Sequence, residues 1–289
     1  MAYDTNSLAQ VGVANVSPDA GESGIWQGDA GPAADAQGNV YLITGNGGFT
    51  VAEGGRHYGD RVVKLGFTQK GLEIRDYFTP SNQAHLNATD GDFGSGAPIL
   101  LPDQPGPHPH LLLAAGKAGL IYELDRDNLG QFNKQNDLKA VQVVKGGTDS
   151  FGAPAYWNGH VYYLLSGDVL SDYRLENGRL SNEPVAKSSV QFTDPGATPA
   201  VSANGAKNGI AWVVSQKTWN GPGRSAVLYA HDAENVAHVL YTSKQNYERD
   251  NAGLALRFAI PTVANGHVYL GTKKHLEVYG LLPVKKNLH

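Results

Sequence analysis

The sequence contains no cysteine. Disulfide scaffolds, thiolate nucleophiles and zinc–thiolate clusters are therefore excluded, and the redox compartment stays open. Charged residues make up only 17%, against about a quarter in an average soluble domain. The net charge of −4 gives no basic footprint for nucleic acid. No apolar run approaches the roughly 18 residues of a membrane-spanning helix, and the N-terminus lacks a signal-peptide core. A protein with neither nucleic-acid nor membrane partners is expected, and its compartment is left undetermined.

What the chain has in excess is glycine, at 36 residues, together with 15 prolines. Both are spread along the chain, which suits many short strands joined by tight turns. Apolar residues at 41% of 289 supply a large core, and repeat folds of this size form one domain.

The stretch from Phe151 to Asp168 shows the pattern. Asn158-Gly159 separates two apolar, aromatic runs, and both residues tolerate the positive φ of a type I′ turn. The phrase recurs around five prolines, at Pro32, Pro98, Pro154, Pro199 and Pro261. Each is followed by a predicted second strand: 39–44, 110–115, 160–165, 210–215 and 267–272. Third strands are predicted at 61–65, 119–125, 171–175, 226–232 and 275–280. Fourth, outer strands are predicted at 72–78, 139–144, about 188–192 and 238–242. A four-stranded antiparallel unit repeating every ~40–50 residues, with loop insertions, is a propeller blade. Proline suits the start of an inner strand, where its missing N–H costs least.

The expected fold is thus all-β: a β-propeller of about five four-stranded blades in a single domain over residues 1–282, with 283–289 as a tail. The fifth unit stops after its third strand, and residues 10–16 read as an outer strand without a blade. Docking that N-terminal strand onto the C-terminal blade would close the ring and remove open edges. The alternative is an open arc that forms a homodimer if the ring does not close within one chain.

The phrases Gly24-Ile-Trp-Gln-Gly-Asp-Ala-Gly-Pro, Tyr77-Phe-Thr-Pro, Pro105-Gly-Pro-His-Pro-His, Ala114-Ala-Gly-Lys-Ala-Gly, Asp125-Arg-Asp-Asn and Pro261-Thr-Val-Ala-Asn-Gly carry a resemblance. Through them the chain resembles bacterial PQQ-like repeat propeller proteins over nearly all its length. It looks like the C-terminal part of longer members. The quinoprotein dehydrogenases that give the group its name resemble a larger ring with a vicinal disulfide and a calcium-held quinone. A chain without cysteine and with about five blades departs from that pattern, which argues against PQQ, and fold alone does not carry function.

Propeller geometry sorts loops by face. The loop approaching each inner strand and the loop between strands two and three open on one face, the top. Counting back from the prolines, the approach loops carry Trp26, Gln27 and Asp29; Asp90, Asp92 and Ser95; Asp149 and Ser150; Asp194; and Arg249, Asp250 and Arg257. Carboxylates converging on one mouth suit a hard divalent cation. Asp29, Asp92, Asp149 and Asp194 are the candidate ligands, for calcium first and zinc second. The plainer reading is that Asp and Ser in such loops bond their own backbone.

Of the ten histidines, His57 and His85 fall in long top-face loops, where an imidazole can act as general base. The plainer reading there is an exposed loop histidine. His108-Pro-His110 is read as a rigid strand start rather than a chelate, and His231 as a satisfied core histidine. The loop 45–59 is glycine-rich and suits a mobile lid. The loop 215–225 carries Lys217, Trp219 and Arg224, a set fitted to an anionic or aromatic substrate. Lys117 and Asp168 fall in loops between strands two and three.

The functional expectation is a hydrolase of small esters or phosphoesters with a polar or metal cluster at the top mouth. His57 or His85 would be the base, with Asp29, Asp92, Asp149 and Asp194 as ligands or orienters and Asp92 counted among the catalytic residues. Lys217, Arg224 and Arg257 would stabilise developing negative charge. Trp26, Gln27, Lys117, Asp168 and Trp219 would bind substrate. The alternative is a non-catalytic propeller acting as a ligand- or protein-binding scaffold, since no Gly-x-Ser-x-Gly elbow, zinc helix or EF-hand loop occurs.

Overall fold

Each of the five aligned prolines stands one residue ahead of a strand: Ala33–Ala34, Ile99–Leu100, Ala155–Trp157, Ala200–Asn204 and Thr262–Ala264. The ring fixes φ without sacrificing a ladder hydrogen bond, because pairing begins at the next residue. The turns follow the same logic. Asn158 and Gly159 sit at φ 49° and 81°, and Asn265 and Gly266 at 50° and 73°, the left-handed pair that a type I′ hairpin requires.

The computed structural model describes residues 1–216 and 225–282. The tail expected at 283–289 and the candidates Lys217, Trp219 and Arg224 lie outside the described residues. Strands fall into five successive sheets and one two-stranded ribbon. The first sheet runs Ala33–Ala34, Val40–Thr44, Arg61–Thr68 and Gly71–Thr79, with Gln131–Phe132 added in parallel at its edge. The second holds Ile99–Leu100, Leu111–Ala115, Leu120–Asp125 and Gln142–Lys145. The third holds Ala155–Trp157, His160–Tyr163 and Val169–Glu176, whose outer edge takes both Arg179–Leu180 and Ala186–Gln191. The fourth runs Ala200–Asn204, Lys207–Ser215, Val227–Asp232 and Asn235–Thr242, and the fifth Thr262–Ala264, His267–Gly271 and Leu276–Gly280. The chain is all-β apart from short helices such as Gln83–Ala88 and Tyr247–Asp250.

The core lies between neighbouring sheets. Leu112 and Ala114 face Tyr41, Ile43, Val62 and Phe78 of the first sheet. Leu111, Leu113 and Ala115, on the opposite side of the same strand, face Val161, Tyr163 and Leu165 of the third. That strand is buried on both faces, which is why it reads as an unbroken apolar run rather than an alternating one. Each of its leucines stabilises the fold by about 1.5–3 kcal/mol. Similar clusters join the third sheet to the fourth, around Trp157, Phe192 and Val213, and the fourth to the fifth, around Leu228, Val268 and Leu270.

Two expectations are corrected. The N-terminal segment does not close the fifth sheet. Gln10–Gly12 pairs with Ala2–Tyr3, and a Cβ on Gly12 would lie 2.8 Å from the Leu72 Cβ, so the ribbon rests on the first sheet. The reason is apolar cover. Leu42, Val63 and Leu65 form a cluster on the outward face of that sheet, with Ala14, Tyr58 and Leu72 packed against it. The nearest chain in sequence buries it.

The loop 45–59 is not built as a mobile lid either. Phe49 bridges Tyr58, and Gly47 bridges Glu22. The fully buried Arg61 stacks its guanidinium over Phe49 at 4.7 Å, Tyr58 at 5.0 Å and Tyr77 at 5.1 Å, and donates to the Gly59 carbonyl from Nε and Nη2. A cation caged by three rings anchors the loop from beneath.

Candidate functional site

The approach loops of all five sheets do meet. Gly28 lies so close to the Phe151 carbonyl that a Cβ would stand 2.2 Å from it. The Ala97 N–H donates to Gly152 O at 3.4 Å, and Ser95 Oγ donates to Ser150 O at 2.7 Å. Asp29 accepts the Thr198 N–H at 3.2 Å and the Thr198 hydroxyl on its other oxygen, joining the first approach loop to the fourth. Arg257 of the fifth stacks over Phe258 at 4.6 Å and over Phe151 of the third at 5.9 Å.

This junction is closely built. Gln27 is buried and accepts the Ile43 N–H at 3.3 Å. Burial pushes Asp29 up to about 6, although the Thr198 hydrogen bonds oppose it. Trp26, 70% exposed, lies outside it, with its indole against Gly24 and Gly45.

The side chains with room beside them gather elsewhere on the loops. His85, Lys117 and Asp149 line one recess of about 490 Å³ together with Asn82, Leu86, Thr89, Asp90 and Leu120. Helix Gln83–Ala88 forms one wall and carries His85. Lys117 Nζ lies 2.7 Å from Asp92 Oδ2 and 3.0 Å from Asp90 Oδ2. Asp92 Oδ1 also accepts the Asn46 N–H at 2.7 Å, and Asp90 Oδ1 accepts from Asn46 Nδ2 at 3.2 Å. Burial pulls the Lys117 pKa down, but the hydrogen bonds and charges of Asp92 and Asp90 outweigh it and raise it. The Lys117 hydrogen bond and charge hold Asp90 below the usual carboxylate range. The loop 45–59, pinned by Arg61, thus reaches the recess through Asn46.

The other candidates are dispersed. Asp194 accepts from Ser166 Oγ at 2.9 Å, and Asp168 from the N–H of Val169 at 2.8 Å. His57 sits in the tied loop, its N–H facing Thr50 Oγ1 at 3.3 Å. Asp29, Asp92, Asp149 and Asp194 are not gathered. Among the described residues no three His, Asp or Glu side chains are arranged to hold a metal ion, because Asp29, Asp92 and Asp194 are each engaged by a different partner.

On the opposite face, His108 and His110 hold Asp125 and Asp127 through Nδ1, each at 2.7 Å, as a rigid strand start requires. His231 is fully buried with Nδ1 2.8 Å from Val236 O, but its Nε2 is buried without a partner among the described residues. It is thus a core histidine satisfied on one nitrogen only, and burial lowers its pKa. Sequence reading missed the helix at Gln83–Ala88 and the part played by Asn46. The helix had a signal in Pro80-Ser81-Asn82, a breaker followed by cap-type residues. Asn46 had none.

No protein-family model matches the chain, and no curated protein matches its sequence. Solved structures similar to it include BamB from Moraxella catarrhalis, 12% identical over 87% of this chain and 61% of that one, with a TM-score of 0.47. A europium-containing methanol dehydrogenase is 14% identical over 92% of this chain and 53% of that one, at 0.46. The computationally designed Ika8 protein is 10% identical over 86% and 70%, at 0.43. The chain therefore spans under two thirds of BamB and of the dehydrogenase. All three likenesses are of low identity and have TM-scores below 0.5.

Proposed function

We propose that the chain is a β-propeller of five blades that binds a small polar ligand in the recess between helix Gln83–Ala88 and Lys117. The observation that carries this is the convergence of His85, Lys117, Asp90 and Asp149 on one recess of about 490 Å³, within the ~300–1,000 Å³ of small-molecule sites. Leu86 and Leu120 supply apolar walls, and Asn82, Thr89 and Asp149 supply hydrogen-bonding groups. Lys117 is already balanced by two carboxylates, so Asp149 leaves the recess acidic. Neutral or cationic ligands such as polyols and amines fit it better than free phosphates or carboxylates.

A second reading, hydrolysis of a small neutral ester at the same recess, is favoured by His85. Its ring has no partner among the described residues and stands on the wall of the recess, placed to take a proton from water. One experiment separates the two. Ligand-induced melting shifts are measured over a panel of amines, polyols and neutral esters, with ester turnover followed in parallel, on the native chain and on Asp149→Asn and His85→Ala. Binding lost in Asp149→Asn with no turnover anywhere supports the ligand-binding reading. Turnover lost in His85→Ala with binding retained moves the assignment to a hydrolase. A panel that neither binds nor reacts refutes the site.

A further inference from the structure

The fifth sheet ends on a strand that the other sheets cover. In the first four, the outer edge of the third strand is paired by a further strand: Gly71–Thr79, Gln142–Lys145, Ala186–Gln191 and Asn235–Thr242. Leu276–Gly280 pairs only with His267–Gly271 among the described residues. Its outer edge therefore presents unpaired N–H and C=O groups.

The same segment leaves large apolar side chains in water. Leu276 is 65% exposed, Val278 53%, Leu281 99% and Leu282 61%. Beside it a groove of about 1200 Å³ opens between the fourth and fifth sheets, lined by Ile210, Trp212, Leu240, Tyr241, Val263 and Tyr279 among others. An open ladder, apolar side chains and an apolar groove at one edge mark a place for another strand.

We infer that this edge is a homodimer interface, in which Leu276–Gly280 pairs antiparallel with the same strand of a second copy about a two-fold axis through Val278. Self-complementarity of the strand selects the second copy. A two-fold at its middle residue sets Val278 opposite Val278, Leu276 opposite Gly280 and Glu277 opposite Tyr279. The strand's one charge thus meets an aromatic ring rather than a like charge, which would destabilise a cross-strand pair. Lys273 and Lys274 lie before the strand, outside the five-residue ladder. Leu281 and Leu282 then run alongside the partner's His275 and Lys274, and the two fifth sheets become one sheet of six strands. The interface is isologous and closes on itself, so the assembly stops at two.

The absence of cysteine gives the test its specificity. Native chain, Val278→Lys and Val278→Cys are compared by light scattering across a concentration series, with circular dichroism and melting as checks of folding. The expected result is a native mass twice 30.7 kDa and a folded, monomeric Val278→Lys. Mild oxidation should convert Val278→Cys to a disulfide-linked dimer, because the opposed Cβ atoms stand about 4.5–5.5 Å apart. A Leu276→Cys control, opposite Gly280, should link far more slowly. A native chain that stays monomeric, with the thiol of Val278→Cys still free after oxidation, overturns the proposal and means that something other than a second copy covers the edge. A dimer that survives Val278→Lys and forms no disulfide in Val278→Cys overturns it equally, by placing the interface elsewhere. Should Val278→Lys fail to fold, the disulfide result alone decides.

Discussion

Replacing Glu123 by glutamine should make the protein more stable in alkaline solution and leave it nearly unchanged in acid. Glu123 lies in the second sheet on Leu120–Asp125 and is 1% exposed. One carboxyl oxygen accepts a long hydrogen bond, 3.4 Å, from the Leu180 N–H, and the other is buried without a partner among the described residues. Burial pushes its pKa up to about 7, against weaker opposing effects of the Leu180 hydrogen bond, Arg179 and His108.

The sign follows from proton counting. Between about 4.3, where the unfolded chain releases this proton, and about 7, the folded protein holds it. Stability is therefore full in acid and is lost as pH rises through 7. At about 1.36 kcal/mol for each tenfold in proton affinity, the loss comes to about 4 kcal/mol, or roughly 6 °C in Tm for a protein of this size. Glutamine keeps an oxygen for the Leu180 N–H and never ionises. The assay is thermal unfolding of native and Glu123→Gln from pH 5 to 9. The gap between the two curves should be smallest at pH 5, widen up to about pH 7 and stay constant above it, with the variant higher. Asp29 and Asp60, both pushed by burial to about 6, leave a slope at lower pH in both proteins, so the difference between them is the readout. Parallel curves, or a variant that is less stable at every pH, would refute the argument from burial.

Other substitutions test the anchors. Arg61→Met keeps bulk but removes the caged cation and its bonds to Gly59; a loss of about 3 kcal/mol or more is expected, with faster tryptic cleavage after Arg56. Unchanged protection of loop 45–59 would show that the cage does not hold it. Gly28→Ala sets a Cβ 2.2 Å from the Phe151 carbonyl, whereas Gly31→Ala meets nothing within 4 Å; the first should cost about 1–3 kcal/mol and the second almost nothing in a denaturant melt. Lys117→Met removes the hydrogen bond and charge that depress Asp90, so the Asp90 carboxyl resonance should titrate at higher pH in NMR. An unmoved midpoint would mean that the ion pair is absent in solution.

The periodic parts of the structure were legible because local chemistry decides them. The five prolines mark strand starts to the residue, and Asn158-Gly159 and Asn265-Gly266 make their turns without help from distant groups. The predicted third strand at 226–232 appears as Val227–Asp232. The predicted outer strand at 72–78 appears as Gly71–Thr79. What failed depended on which surface most needed cover. Residues 10–16 alternate well enough to add to any edge, and the apolar face of Leu42, Val63 and Leu65 claimed them. The convergence of the approach loops was readable from topology, but the pairing of carboxylates was not. Asp92 was expected to converge with Asp29, Asp149 and Asp194 and instead shares Lys117 and Asn46 with Asp90, and nothing in the spacing of 46, 92 and 117 announces that contact. Arg61 likewise reads as a strand residue, and its cage exists only once 49, 58 and 77 come together.

The hydrogen bonds from Thr198 to Asp29 bear on how the chain comes apart. Sheets that touch only their neighbours make a linear array, and a linear array frays from its ends, one junction at a time. A tie between residues 29 and 198 spans three such junctions and turns that line into a loop. Opening the first sheet then requires releasing the fourth, so the first four sheets should exchange their amide hydrogens in concert. The fifth sheet, joined by one apolar junction among the described residues and by Arg257 stacked over Phe151, should exchange ahead of them. The first sheet, although first in the array, should behave as part of the interior.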